Sequence, residues 1–122
     1  MLNKNEVTEI IKNFGLKPKE HSFNNIMDFT IIDDISSNIV FRFNFSTGVF
    51  YYPHKLIYKD NYIHTADNNN QFTDFFSEYN HISLEDLTQD MLKNIITEYM
   101  KQYKKCLIEY KLDKMKVDFE ND

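Results

Sequence analysis

The chain has 122 residues, 42% of them hydrophobic, with eleven Phe, eight Tyr and a formal net charge of −5. This length fits one domain (1–122) that can bury a core, so neither a disordered chain nor a two-domain arrangement is expected. Only two Gly and two Pro occur, which leaves little material for phosphate-cradling loops and disfavours a nucleotide-binding enzyme.

A first helix is predicted over residues 4–14 from its capping residues and its apolar spacing. Asn3 can cap the helix together with Glu6, and Gly15 follows as a natural stop. The apolar residues between them fall at i, i+3, i+4 and i+7, and they are Val7, Ile10, Ile11 and Phe14.

An antiparallel sheet of four to five strands is predicted for about residues 23–65, where the apolar period changes to two. The clearest strand contains Phe41, Phe43 and Phe45 and ends at the turn 46–48. Further strands are expected at 26–32, 49–52, 56–58 and 62–65, with a hairpin turn at 59–62. Pro53 is expected to break or bulge the strand that it follows. Short connections imply antiparallel neighbours.

Two helices are predicted after the sheet, so the expected fold class is α+β. A short helix at about 71–79 would present an aromatic stripe, and a long C-terminal helix would occupy about 84–114. Ser83 is one capping candidate for the long helix, and Thr88 is the alternative. An apolar seam of nearly heptad spacing consists of Leu92, Ile96, Tyr99, Tyr103, Cys106 and Tyr110. It favours packing across the sheet over a coiled coil, and leaves dimerisation through this helix open.

No catalytic residue, cofactor site or metal site is predicted. The four histidines are scattered, and only His54 and His64, with Asp67 nearby, could meet across a hairpin. The lone cysteine, Cys106, is expected to be a buried structural thiol on the long helix. With a single cysteine, a polar start and no apolar run of membrane-spanning length, a cytoplasmic protein is expected.

The acidic residues are concentrated in one part of the chain. Residues 60–100 contain eight carboxylates and one cation, Lys93, so this window carries −7. Glu85 and Asp86 are expected in the first turn of the long helix, where the helix dipole favours them. Asp86, Asp90 and Glu98 would form a row on that helix, with about 6 Å between steps of four residues. A solvated helix face is the ordinary interpretation, and a binding surface is the alternative.

Seven residues are therefore predicted to contact a partner. Four are the carboxylates that the turns and helix starts leave unexplained, namely Asp74, Glu78, Asp90 and Glu98. The other three are Tyr51, Tyr58 and Tyr62, because this stretch holds more tyrosines than one sheet face needs and tyrosine is enriched at interfaces.

In size, acidity, amino acids typical of AT-rich codons and lack of a catalytic motif, the chain resembles small orphan proteins of phages and mobile elements in low-GC bacteria. Anti-CRISPR proteins are the best-known inhibitors of this kind. The resemblance covers size and composition, with no residue motif. It implies a non-enzymatic inhibitor in the bacterial host cell that blocks the basic, nucleic-acid-binding groove of a Cas nuclease, binding neither nucleic acid nor membrane directly. An immunity protein against a toxin and a small enzyme near His54 and His64 are the alternatives.

Overall fold

The computed structural model describes residues 1–21, 25–30, 40–73 and 78–120. Two helices and seven strands follow one another as α1 (Lys4–Asn13), β1 (Pro18–His21), β2 (Ile26–Thr30), β3 (Val40–Asn44), β4 (Val49–Tyr52), β5 (Lys55–Lys59), β6 (Tyr62–Ala66), β7 (Asn80–Ser83) and α2 (Gln89–Glu120). The α+β class, with an N-terminal helix, antiparallel strands and a long C-terminal helix, is confirmed.

Helix α1 begins and ends as its sequence predicts. The side chain of Asn3 accepts a hydrogen bond from the Glu6 amide, and the Glu6 carboxylate accepts one from the Asn3 amide. Phe14 is the C-cap, so the helix ends one residue earlier than expected, and Gly15 adopts a φ of +77°. Only glycine occupies that region readily, because a Cβ atom is disfavoured there.

The strands form two sheets, whereas the sequence predicts one. Five strands pair antiparallel in the order β1-β2-β3-β4-β7, and β5 pairs with β6 in a separate hairpin. Pro53 follows β4 directly and has no N–H to donate, so the chain leaves the first sheet at this point. The edge of β4 that a continuous meander would pair with β5 is taken instead by β7.

The core lies on one face of the five-stranded sheet. Phe43 of β3 is directly opposite Met27 of β2 and Phe50 of β4, and all three are fully buried. Stacked rings continue across the strands, with 4.6 Å between Phe29 and Phe41 and 4.3 Å between Phe43 and Phe50. Both helices pack on this face. The α1 hydroxyl of Thr8 lies 3.8 Å from the Met27 sulfur, and the α2 ring of Tyr99 lies 5.1 Å from Phe41.

Helix α2 begins later and ends later than the predicted 84–114. Thr88 is its cap, because the Thr88 hydroxyl accepts a hydrogen bond from the Met91 amide at 3.1 Å. The other candidate, Ser83, caps a tight turn instead, and this turn is closed by the Leu87 amide. Glu85 and Asp86 therefore lie in a turn before α2 and not in its first helical turn, which corrects the prediction.

The predicted seam of α2 packs against the sheets as expected. Leu92, Ile96, Tyr99, Tyr103 and Cys106 are all buried, and Tyr110 packs against the same core.

The predicted short helix (about 71–79) does not begin at residue 71. Phe72 forms an isolated antiparallel bridge with Ala66, and the Thr73 amide donates to the Thr65 carbonyl at 3.0 Å. The chain therefore runs alongside β6 through Thr73. The centre of that prediction, 74–77, lies outside the described residues.

Candidate functional site

The carboxylates of Asp90 and Glu98 lie on the solvent side of α2. Both residues are exposed, whereas the residues on the opposite side of the helix are buried. They are eight positions apart in the helix, which corresponds to about 12 Å along the axis. The Glu98 carboxylate accepts a hydrogen bond from the Gln102 amide at 3.4 Å. Because Asp86 lies outside the helix, the predicted row on α2 itself is reduced to these two carboxylates.

The fold brings a further carboxylate, that of Glu6, close to the start of α2, and the sequence does not predict this. The Gln89 side-chain amide donates to the Glu6 carboxylate at 2.9 Å, which joins the start of α2 to the start of α1. Glu6 therefore lies beside the turn of α2 that contains Asp90. We define the acidic surface as Glu6, Glu85, Asp86, Asp90 and Glu98.

No lysine or arginine of the described residues forms an ion pair with the acidic surface. The described ion pairs both involve Asp28, which lies on the five-stranded sheet. Lys93 is exposed between Asp90 and Glu98 on α2 but forms no ion pair with a described carboxylate, and the five carboxylates outnumber it. This surface is therefore a region of negative potential that a cationic partner would relieve.

Glu78 is exposed, and it precedes Tyr79 in the chain. Burial raises the pKa of the Tyr99 hydroxyl, and the nearby side chains of Tyr52, Glu98 and Tyr79 raise it further. Glu78 and Glu98 thus neighbour two tyrosines that are close in space. Asp74, the remaining predicted carboxylate, lies outside the described residues.

The three predicted tyrosines are not brought together. Tyr51 is on the outer face of the five-stranded sheet, with its ring 6.4 Å from that of His81. Tyr58 is on the second sheet, where its ring lies 6.3 Å from Tyr110 of α2. Tyr62 begins β6 and is 50% exposed. The predicted partner-binding residues therefore occupy three different places on the molecule.

A charged cluster on the outer face of the five-stranded sheet was not predicted. The Arg42 guanidinium donates two hydrogen bonds to the Asp28 carboxylate, at 2.7 and 2.8 Å, and the His21 ring lies 2.9 Å from the same carboxylate. Asp28 is only 8% exposed, and its hydrogen bonds raise the pKa of Arg42. The sequence gives little indication of this ion pair, because Asp28 and Arg42 become direct neighbours only through the register of β2 and β3.

The cluster is best explained as a structural pair. A bidentate Arg–carboxylate contact holds two neighbouring strands in one register, since a slip of one residue would separate the charges. A recess of about 380 Å³ adjoins Asp28 and is lined in part by Lys17, Lys19 and His21 of the edge strand region.

The histidine grouping near β5 and β6 is engaged in local contacts. The His64 ring stacks on Phe72 at 4.0 Å, and its Nε2 atom lies 3.0 Å from the Lys59 carbonyl oxygen. The Asp67 carboxylate accepts hydrogen bonds from the amides of Asn69 and Gln71. Within the described ranges, no group of three or more His, Cys, Asp or Glu side chains could hold a metal ion.

Cys106 is a buried thiol, as predicted. It is 3% exposed, and burial raises its pKa to about 11, with a smaller contribution from Glu109. At neutral pH the thiol is therefore protonated, which is the less reactive form.

None of the helices in the described part of the chain is both long enough and apolar enough to cross a membrane. Comparison of the chain with protein-family models, with curated proteins and with solved structures finds no match.

Proposed function

We propose that this protein is a non-enzymatic inhibitor that binds another protein through its acidic surface. The partner presents a basic groove that normally holds nucleic acid, and a Cas nuclease is the partner class that the resemblance to anti-CRISPR proteins implies. The inhibitor competes with the nucleic-acid phosphates for the lysines and arginines of that groove.

The observation that carries this proposal is that the carboxylates of the acidic surface form no ion pair with a described lysine or arginine. Asp90 and Glu98 are exposed and form no ion pair with a described residue. Helix α2 contains seven lysines, at positions 93, 101, 104, 105, 111, 114 and 116, and only Lys93 lies between Asp90 and Glu98. Asp90 and Glu98 lie about 12 Å apart along the helix, and a basic groove that contacts both would complement their charge.

Charge reversal tests the proposal. Asp90→Lys with Glu98→Lys should weaken inhibition of DNA cleavage by the target nuclease by about tenfold or more, because attraction becomes repulsion. The measurement is DNA cleavage by purified Cas nucleases with guide RNA at increasing inhibitor concentration, repeated from about 50 to 300 mM salt. Inhibition by the unmodified protein should fall steeply as salt rises.

A matched control separates a local effect from net charge. Glu20→Lys, on the exposed edge strand β1, lies outside the acidic surface and is compared with the single variant Asp90→Lys, which changes the net charge by the same amount. Glu20→Lys should leave inhibition unchanged. If the nucleases are not inhibited, or if inhibition responds to neither charge reversal nor salt, the proposal is wrong.

A further inference from the structure

Among the described side chains in the second half of α2, three large apolar ones are exposed on one side. Ile108 is 60% exposed, Leu112 54% and Met115 53%, and their spacing of i, i+4 and i+7 aligns them along the helix. We call these three residues the exposed stripe. It lies on the side of α2 opposite the buried residues Cys106 and Tyr103. Single exposed apolar residues are common, whereas an aligned set of three is typical of a contact surface.

A recess continues the exposed stripe toward the second sheet. Leu112 and Met115 line a cavity of about 500 Å³, and Tyr58 of β5 forms part of its wall. Side chains that project from another helix could enter this space. The exposed stripe therefore offers both an apolar ridge and an adjacent hollow, which is the arrangement that interlocking helices require.

The charges beside the exposed stripe are arranged so that it can pair with itself. In heptad terms Leu112 is at an a position, Ile108 and Met115 are at d positions, and Glu109 and Lys116 are both at e positions. Antiparallel helices bring e positions of one helix next to e positions of the other. A two-fold axis near Asp113 therefore places Glu109 of one copy beside Lys116 of the other. The same axis places Lys116 of the first copy beside Glu109 of the second.

We propose that the exposed stripe binds a second copy of this chain as an antiparallel helix pair. In this pair Leu112 packs against Met115 of the second copy, and two reciprocal Glu109–Lys116 ion pairs flank the apolar layers. Parallel packing would place e positions beside g positions, so Lys116 would face Lys111 of the other copy and repel it. The antiparallel arrangement also leaves Asp90 and Glu98 of both copies free, because they lie on the first half of α2, away from the exposed stripe.

The pairing should be weak and dependent on concentration. Three apolar side chains and two exposed ion pairs are fewer than a standard interface contains. Sedimentation equilibrium of the full chain, at concentrations up to about 0.5 mM, should show a monomer–dimer equilibrium. Leu112→Ser should abolish the dimer. Met91→Ser, which removes an exposed apolar residue from the first half of α2, should leave it unchanged.

Charge exchange distinguishes the antiparallel from the parallel arrangement. Lys116→Glu should raise the dimer dissociation constant about tenfold, because both reciprocal pairs become repulsive. Combining it with Glu109→Lys should restore the original value. In a parallel dimer Lys116→Glu would instead strengthen association, because it would then face Lys111. Circular dichroism should show unchanged folding, since all these positions are exposed.

Several results would overturn the proposal. They are a monomer at every concentration, a dimer that survives Leu112→Ser, and a dimer that is strengthened by Lys116→Glu. Monomeric protein that binds vesicles of anionic phospholipid, with binding lost in Leu112→Ser, would reassign the exposed stripe and its lysines to a membrane surface. None of these measurements depends on the nuclease assay, so the two proposals can fail separately.

Discussion

At the scale of single residues, Asp28 has an environment that the strand pattern of the sequence does not predict. It is on the outer face of the five-stranded sheet, yet it is nearly buried and contacts both Arg42 and His21. A carboxylate that has lost its water needs such donors, because an unpaired buried charge is costly. Its contacts are therefore expected to contribute to stability and to the register of β2 and β3.

We predict that Asp28→Asn lowers the free energy of unfolding by about 1–3 kcal/mol, since Arg42 loses its carboxylate partner while remaining largely covered. The Arg42 side chain is 29% exposed, so water recovers part of the loss. Urea unfolding of the variant and of Lys19→Gln, a change at an exposed edge position, gives the comparison. A loss below about 0.5 kcal/mol for Asp28→Asn would show that the Asp28–Arg42 pair stabilises the fold no more than a surface ion pair does.

At the scale of elements, the start of α2 is decided by competition between two caps. Ser83 and Thr88 both precede acidic and apolar residues that suit a helix, and either could accept a bond from a free amide. In the fold, Ser83 ends β7, which pairs with β4, so its backbone is extended. Asp86 and Leu87 are held in a turn by hydrogen bonds from their amides to the Ser83 carbonyl, so α2 begins after Thr88.

We predict that Thr88→Ala lowers the free energy of unfolding by about 1 kcal/mol, because the Met91 amide loses its acceptor. Ser83→Ala should have a smaller effect, since its hydroxyl accepts a longer bond of 3.3 Å in an exposed turn. Thermal and urea unfolding of both variants test this ranking. The reverse ranking would mean that Ser83, and not Thr88, controls the start of the helix.

At the scale of the whole molecule, two ionisable side chains of the α2 seam couple stability to pH. Cys106 and Tyr99 are buried in neutral form, and burial raises the pKa of each. An acid whose pKa is raised by folding stabilises the folded state below its unfolded pKa, and this contribution is lost as pH rises toward the folded pKa. The protein should therefore lose stability on the alkaline side.

We predict a loss of about 2 kcal/mol from Cys106 between pH 9 and pH 11, where the unfolded thiol is ionised and the folded thiol is not. Urea unfolding at pH 7.5, 9 and 10.5 measures it, with Cys106→Ala as the variant that lacks the group. The difference in stability between the two proteins should narrow as pH rises. A constant difference would show that the thiol has the same pKa in both states.

Much of the fold follows from patterns that are local in the chain. The capping box of α1, the stop at Gly15, the alternation of β3 and the turn of Asp60 and Asn61, both with positive φ, depend on residues close in sequence. The buried face of α2 is determined in the same way, because helical geometry alone brings its seam residues to one side.

Tertiary structure decided the features that depend on distant residues. Residues near 80 complete the first sheet, and residues 55–66 form a second one, because strand pairing is chosen among all available edges. The sequence by itself determined that the chain has an acidic region and a long amphipathic helix. Only the tertiary structure added Glu6 to that region, removed Asp86 from the helix and distributed the tyrosines over separate places, because such proximity arises from packing and not from spacing along the chain.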